Sequence, residues 1–168
     1  DTAGNKVQPH LASNPLGVET YVADETAPLL SSFLIDLSAN TMTFNFNEPV
    51  NKGEFKPTSI QLQASEIDSN GGEKHTLSGG TSTISADSMQ IVLALTETDV
   101  DAINAKTSLA AAATSTYVSL PSSLVKDKSL PAVAMEVIQA SNGKGVKTYT
   151  DDDVAPTLDS FDLNMNTR

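Results

Sequence analysis

Residues 41–47 read TMTFNFN, with Met42, Phe44 and Phe46 alternating against Thr41, Thr43, Asn45 and Asn47. Alternation with period two puts successive side chains on opposite faces of a β-strand, so this segment is predicted to be a half-buried strand. Residues 29–37 form a second strand just upstream. Ser38-Ala39-Asn40 joins the two as a tight turn, either a hairpin or a corner between sheets. Residues 59–64 alternate again, with Ile60 and Leu62 on one face. Residues 74–77 and 82–85 are short edge strands, set off by the turn signals Asn70-Gly71-Gly72 and Gly79-Gly80. Residues 89–95 (MQIVLAL) are nearly all apolar and are expected to be a strand covered on both faces.

The pattern then changes period. Val100 and Ile103 lie three apart behind Thr96 and Thr98, either of which can cap a helix, with acidic residues in its first turn. The spacing predicts one short helix over 98–106, with the Ala-rich run 110–113 extending it or packing beside it. Strands resume at 117–120, 132–138 and 146–150, with Asn142-Gly143 as a hairpin signal. Seven or more short strands, turns rich in Gly and Pro, and no βαβ alternation predict an all-β fold, an immunoglobulin-like β-sandwich with one short inserted helix.

The chain also repeats itself. DETAPLLSSFLID (24–36) aligns without gaps to DDVAPTLDSFDLN (152–164), an offset of 128 residues from Ala27 to Ala155. Asp24, Ala27, Pro28, Leu30, Ser32 and Phe33 match Asp152, Ala155, Pro156, Leu158, Ser160 and Phe161, and Leu37 and Met165 continue the apolar match. Thr20-Tyr21 and Thr148-Tyr149 fall at the same offset. A period of that length is too long for a solenoid and is the size of a whole domain. The expected organisation is a complete repeat over 24–151, the last strand of a preceding repeat in 1–23 (centred on 18–22), and the first strand of a following one in 152–168.

Composition narrows the functional classes. The chain has 168 residues, 21 acidic against 10 basic, for a net charge of -11. That balance argues against nucleic acid and against an anionic membrane surface as partners. Cysteine is absent, so there is no disulfide framework, thiol nucleophile or cysteine metal site. No apolar run approaches the length of a membrane span. The chain opens on Asp1 without a signal-peptide pattern and reads as a segment of something longer.

The run APLLSSFLIDLSANTMTFNFNEPVNKGEFKPTSIQLQ (27–63) resembles the opening of bacterial-type Ig-like repeats, the SbsA-like or flagellar-system-associated-like repeats of large extracellular surface or filament proteins. The residues carrying the resemblance are Ala27-Pro28, Phe33, Thr43, Phe46, Glu48-Pro49-Val50, Phe55, Pro57-Thr58 and the run from Ile60 to Gln63. The TETDVDAIN segment and Asp1-Thr2-Ala3-Gly4-Asn5 also fit, although the complete repeat has Asp127-Lys128-Ser129-Leu130-Pro131 where the second should recur. The resemblance implies a sandwich spacer or adhesion module outside the cell, with neighbouring copies of the repeat as partners, and implies no catalysis.

The candidate chemistry agrees. His10 and His75 are the two histidines and both read as exposed loop residues; no phosphate loop, G-x-S-x-G or zinc spacing is present. No enzyme is predicted and no cofactor is required. The one cation worth naming is calcium, which takes hard oxygen ligands. Asp24, Glu25, Asp151, Asp152 and Asp153 stand at the equivalent inter-repeat linkers, Asp1 and Asp127 at matched loops, and Glu48 in a loop that could approach the same end. The leading functional expectation is a structural repeat of a long extracellular filament, stalk or surface adhesin. The alternative is an adhesin-type binding module for glycan, ice or a mineral surface, which would need exposed aromatics or a flat threonine array such as Thr41 and Thr43 begin.

Overall fold

The computed structural model describes the chain apart from residues 1, 3, 5, 8, 10, 69–71, 156, 164 and 166–168. Residues 30–150 build two sheets facing each other. The strands are β1 (Leu30–Asp36), β2 (Thr41–Phe46), β3 (Gln61–Gln63), β4 (Lys74–Thr76), β5 (Thr81–Ile84), β6 (Gln90–Ala94), β7 (Tyr117–Ser119), β8 (Lys144–Gly145) and β9 (Thr148–Thr150), and the helix α1 is Glu97–Asn104. One sheet has the order β5-β6-β2-β1-β9 and the other β4-β3-β7-β8. With β1, β2, β6 and β5 as strands A, B, E and D, and β3, β7 and β8 as C, F and G, this is an immunoglobulin-like arrangement. The fold is therefore an all-β sandwich with one short inserted helix.

The period-two reading of β2 decides the packing. Met42, Phe44 and Phe46 point inward, and pairing places Phe44 between Phe33 of β1 and Ile91 of β6. Leu62 and Val118 meet this layer from the second sheet, and Ile60, Leu120, Leu124, Val125, Val50 and Phe55 close the core from loops. β1 and β2 form a hairpin through residues 37–40, where Asn40 takes a positive φ of 52° that asparagine tolerates better than most residues. The Asp36 carboxylate accepts the Ala39 amide across that turn.

The final strand crosses between the layers. Residues 144–145 pair with β7, Val146 donates to Thr116 O and Lys147 to Phe33 O, and 148–150 then run parallel to β1. The chain therefore enters the sandwich at the Leu30 end of β1 and leaves past the Asp36 end, about 20 Å away at strand rise.

Several expectations need correction. β6 is not covered on both faces: Ile91 and Leu93 are buried, whereas Gln90 and Ala94 are exposed and Val92 is half-buried. Residues 132–138 make isolated bridges from Ala134 to Lys126 and from Ile138 to Leu120, not a strand. Asn142-Gly143 closes a 3-10 turn, not a two-residue hairpin. Residues 18–22 form no strand, and neither do the described residues of 152–168. A strand needs a ladder partner: Thr148–Thr150 has β1, while the echo at Thr20-Tyr21 has no second β1 beside it. The helix starts one residue early and stops at Asn104, because Thr96, not Thr98, is its cap, its hydroxyl accepting the Asp99 amide at 3.1 Å. The 110–113 run does not extend it; Ala110 is buried with φ 52°.

Candidate functional site

The linker acids fall at two opposite poles. At the entry pole, Asp24 and Glu25 are exposed, and the Asp24 carboxylate accepts the Thr26 amide at 2.9 Å. The following residues are anchored: Pro28 is buried and its carbonyl accepts Glu136 N at 2.9 Å, while Leu29 donates to the Asn47 side chain at 2.7 Å and accepts Asn47 N at 3.1 Å. This brings Glu48 beside the linker. At the exit pole, Asp151, Asp152 and Asp153 are exposed. The Ser38 hydroxyl lies 2.8 Å from both Asp151 O and Asp153 Oδ1, and Asp152 accepts Val154 N at 3.0 Å. The sandwich thus separates the two groups of acids expected at the linkers. Asp1 and His10 lie outside the described residues.

Asp127 joins the entry pole from within. It is 3% exposed, bridges directly to Val50, and its Oδ1 accepts the amides of Val133 at 2.7 Å and Ser129 at 3.2 Å. Its Oδ2 is buried and has no partner, as is Oε1 of Glu48. Burial raises the pKa of Glu48 above the ordinary value, and the charges of Asp24 and Asp127 push it further the same way. All three carboxylates thus lie towards the same pole, with the charges of Asp24 and Asp127 felt at Glu48. The ion pairs found among the described residues, Lys74–Asp68, His75–Asp99 and Lys126–Glu54, leave all three out.

Two polar clusters were not legible as such. His75, expected exposed, is half-buried and its Nε2 lies 2.8 Å from Asp99 Oδ1, whose side chain is fully buried at the start of α1. His75 shares strand parity with buried Leu77, which was the available signal. The second cluster is Glu73. Its carboxylate accepts the amides of Thr107, Ser108 and Leu109 and the Ser108 hydroxyl, tying the loop after α1 to the strand region.

The Ser108 hydroxyl and amide, with the Thr107 and Leu109 amides, hold the Glu73 pKa down to about 2 against the opposing effect of burial. A depressed folded-state pKa means that the contribution is full above the unfolded value and is lost as pH falls from about 4.5 towards 2. Glu73→Gln is expected to speed hydrogen exchange at Thr107, Ser108 and Leu109, with the strand amides unchanged. Acidification should reproduce this in the wild-type chain over the same window. Unaltered protection in the variant would remove the anchoring role.

The outer face of the five-stranded sheet carries two rows read from the register. One is Thr81, Ala94, Thr41, Asp36 and Thr150; the other is Thr83, Val92, Thr43, Leu34 and Thr148. No helix among the described residues is long and apolar enough to cross a membrane.

No family model matches the chain, and no curated protein matches it. Among solved structures, the crystal structure of the S-layer protein rSbsC(31-844) is similar over 79% of this chain and 14% of that one, at 14% identity and a TM-score of 0.47. The chain thus spans only 14% of that structure, and a likeness this distant carries no functional argument.

Proposed function

We propose that residues 24–151 are one structural repeat of a long extracellular filament, stalk or surface adhesin, joined head to tail to like domains. The reading assigns no catalytic chemistry to the chain. One observation carries it. Leu30, Phe33, Ile35 and Leu37 are 6%, 0%, 1% and 8% exposed, while their echoes Leu158, Phe161, Leu163 and Met165 are 81%, 77%, 74% and 79% exposed. At the other end, Tyr149 packs on the core with its hydroxyl on Ala110 O, whereas its echo Tyr21 is 69% exposed. Core-forming positions repeated without a core call for a further sandwich at each end. The polar separation of entry and exit supports a linear array, because each domain then passes the chain along its length.

The alternative, a flat surface binder, draws on the six threonines of the outer face. Adjacent strands rotate by roughly 20–25°, so the five strands accumulate roughly 80–100° between Thr81 and Thr150. A lattice match across that twist fails, which favours the structural reading. The test is the sequence adjoining this chain in its parent protein. Further copies of the Ala-Pro-x-Leu-x-Ser-Phe joint, spaced by about 128 residues, are expected. Unrelated sequence on both sides would overturn the proposal.

A further inference from the structure

We propose that the entry pole is the docking surface for the exit pole of a preceding copy of the repeat, so that consecutive sandwiches meet across a pinned linker. The inference rests on the tandem reading and adds the geometry of the joint. The chain shows that joint twice, 128 residues apart, and both copies fold alike. The Asp24 carboxylate accepts the Thr26 amide at 2.9 Å, and the Asp152 carboxylate accepts the Val154 amide at 3.0 Å. Among the described residues, the first copy has a sandwich downstream of it and the second has one upstream. The shared turn is therefore set by the linker's own sequence, an aspartate bonding the amide two residues on.

Each copy shows how the linker is held on one side. Downstream, Pro28 is buried with its carbonyl on Glu136 N at 2.9 Å, and Leu29 is tied through its amide and carbonyl to Asn47. Upstream, Thr150 O accepts Leu37 N at 3.0 Å. The Ser38 hydroxyl reaches Asp151 O and Asp153 Oδ1 at 2.8 Å each and accepts the Asp153 amide at 3.2 Å. Asp153 corresponds to Glu25, so a joint held on both sides leaves only Thr26 and Ala27 between its anchors. The peptide steps from 25 to 28 span at most about 11 Å. That is close to the roughly 10 Å between packed sheets, which brings the two poles into contact. The entry pole offers apolar surface for this contact: Leu29, Val137 and Leu130 are 47%, 40% and 85% exposed. Leu130 stands on a fixed loop, in which the Asp127 carboxylate takes the Ser129 and Val133 amides and the Ser129 hydroxyl donates to Pro131 O at 2.7 Å. The Tyr21 hydroxyl, from the segment upstream of the linker, already donates to Leu130 O at 2.7 Å. With its own sandwich present, Tyr21 would turn inward as Tyr149 does, leaving Leu130 for the upstream pole to cover.

The test is a chain with two complete repeats, residues 1–151 followed by 24–168, which keeps the 128-residue period. Cysteine is absent, so Thr83→Cys in each repeat, exposed midway along β5, takes one spin label per sandwich. Double electron–electron resonance is expected to give one narrow distance. A short glycine insertion between Thr26 and Ala27 of the joint should broaden it severalfold, and Leu130→Ser in the downstream repeat should broaden it too. Leu130→Ser should leave the melting temperature of the 168-residue chain unchanged, because the side chain is exposed there. A parent distribution as broad as that of the glycine insertion, or one unmoved by Leu130→Ser, would overturn the docked joint while the tandem reading stood. Calorimetry of the same chain separates the two, since unfolding enthalpy scales with the number of folded residues. The enthalpy of one sandwich instead of two would sink the tandem reading and the joint with it.

Discussion

Phe44→Ala is expected to destabilise the sandwich by about 3–5 kcal/mol, the range for truncating a fully buried phenylalanine. The Phe44 side chain is completely buried. Its ring centroid lies 6.5 Å from Phe33 and 5.9 Å from Phe55, so it joins the hairpin to the loop that closes the core. Truncation removes both aromatic contacts and leaves a cavity between Phe33 and Ile91 that flanking strands cannot collapse to fill. Against a typical total of about 5–15 kcal/mol, this takes a large share of the stability. Thermal unfolding should move down by about 10–20 °C. Phe161→Ala is the matched control, because Phe161 echoes core residue Phe33 yet is 77% exposed. It should change stability by less than about 0.5 kcal/mol. Equal losses in the two variants would mean that the 152–168 segment packs within this chain and does not await another domain.

What the sequence made legible follows from what each signal measures. β1, β2 and their turn could be read because alternation reports a one-sided environment directly, and Met42, Phe44 and Phe46 are too large to be explained otherwise. β6 was misread because an apolar run reports hydrophobicity and not burial; Val92 sits on the outer face between Thr43 and Thr83, where a β-branched residue fits a half-exposed sheet. The 18–22 segment has strand composition, but pairing is a property of two segments, and no described strand lies beside it. The entry-pole acids were legible in part. Asp24 was expected at a linker from the repeat, and Glu48 in a loop that could approach the same end. The orphaned Oδ2 of Asp127 could not be foreseen, because it depends on which of its two oxygens the Val133 amide takes. The same limit hid Asp99. Thr96-x-x-Asp99 has the outline of a helix cap, but its link to His75, 24 residues upstream, exists only once β4 and α1 are packed together.

That link makes Asp99→Ala the second large effect. The Asp99 carboxylate is fully buried; Oδ1 receives His75 Nε2 at 2.8 Å and the Ser78 amide at 2.7 Å, and Oδ2 receives the Thr96 hydroxyl at 2.8 Å. Alanine would remove the buried acceptor of the Ser78 amide and the Thr96 hydroxyl; the exposed Ser78 and the half-open His75 recover some hydration, and the Thr96 hydroxyl keeps Ser78 Oγ at 3.0 Å. The acid also sits in the first turn of α1, where negative charge is favoured. A loss of about 3 kcal/mol is expected at pH 7, read from urea unfolding. The pH dependence identifies the cause. Burial alone would raise this pKa, but the bonds from His75, Ser78 and Thr96 outweigh it and hold the carboxyl below its ordinary value. A lowered folded-state pKa means the stabilisation is complete above the unfolded value near 3.9 and disappears as pH falls through the folded one. The gap between the parent and Asp99→Ala should therefore be constant from pH 7 to about 5 and narrow steadily below about 4. A gap independent of pH down to the acid limit would assign the effect to lost packing and not to the ionised carboxylate that joins helix to sheet.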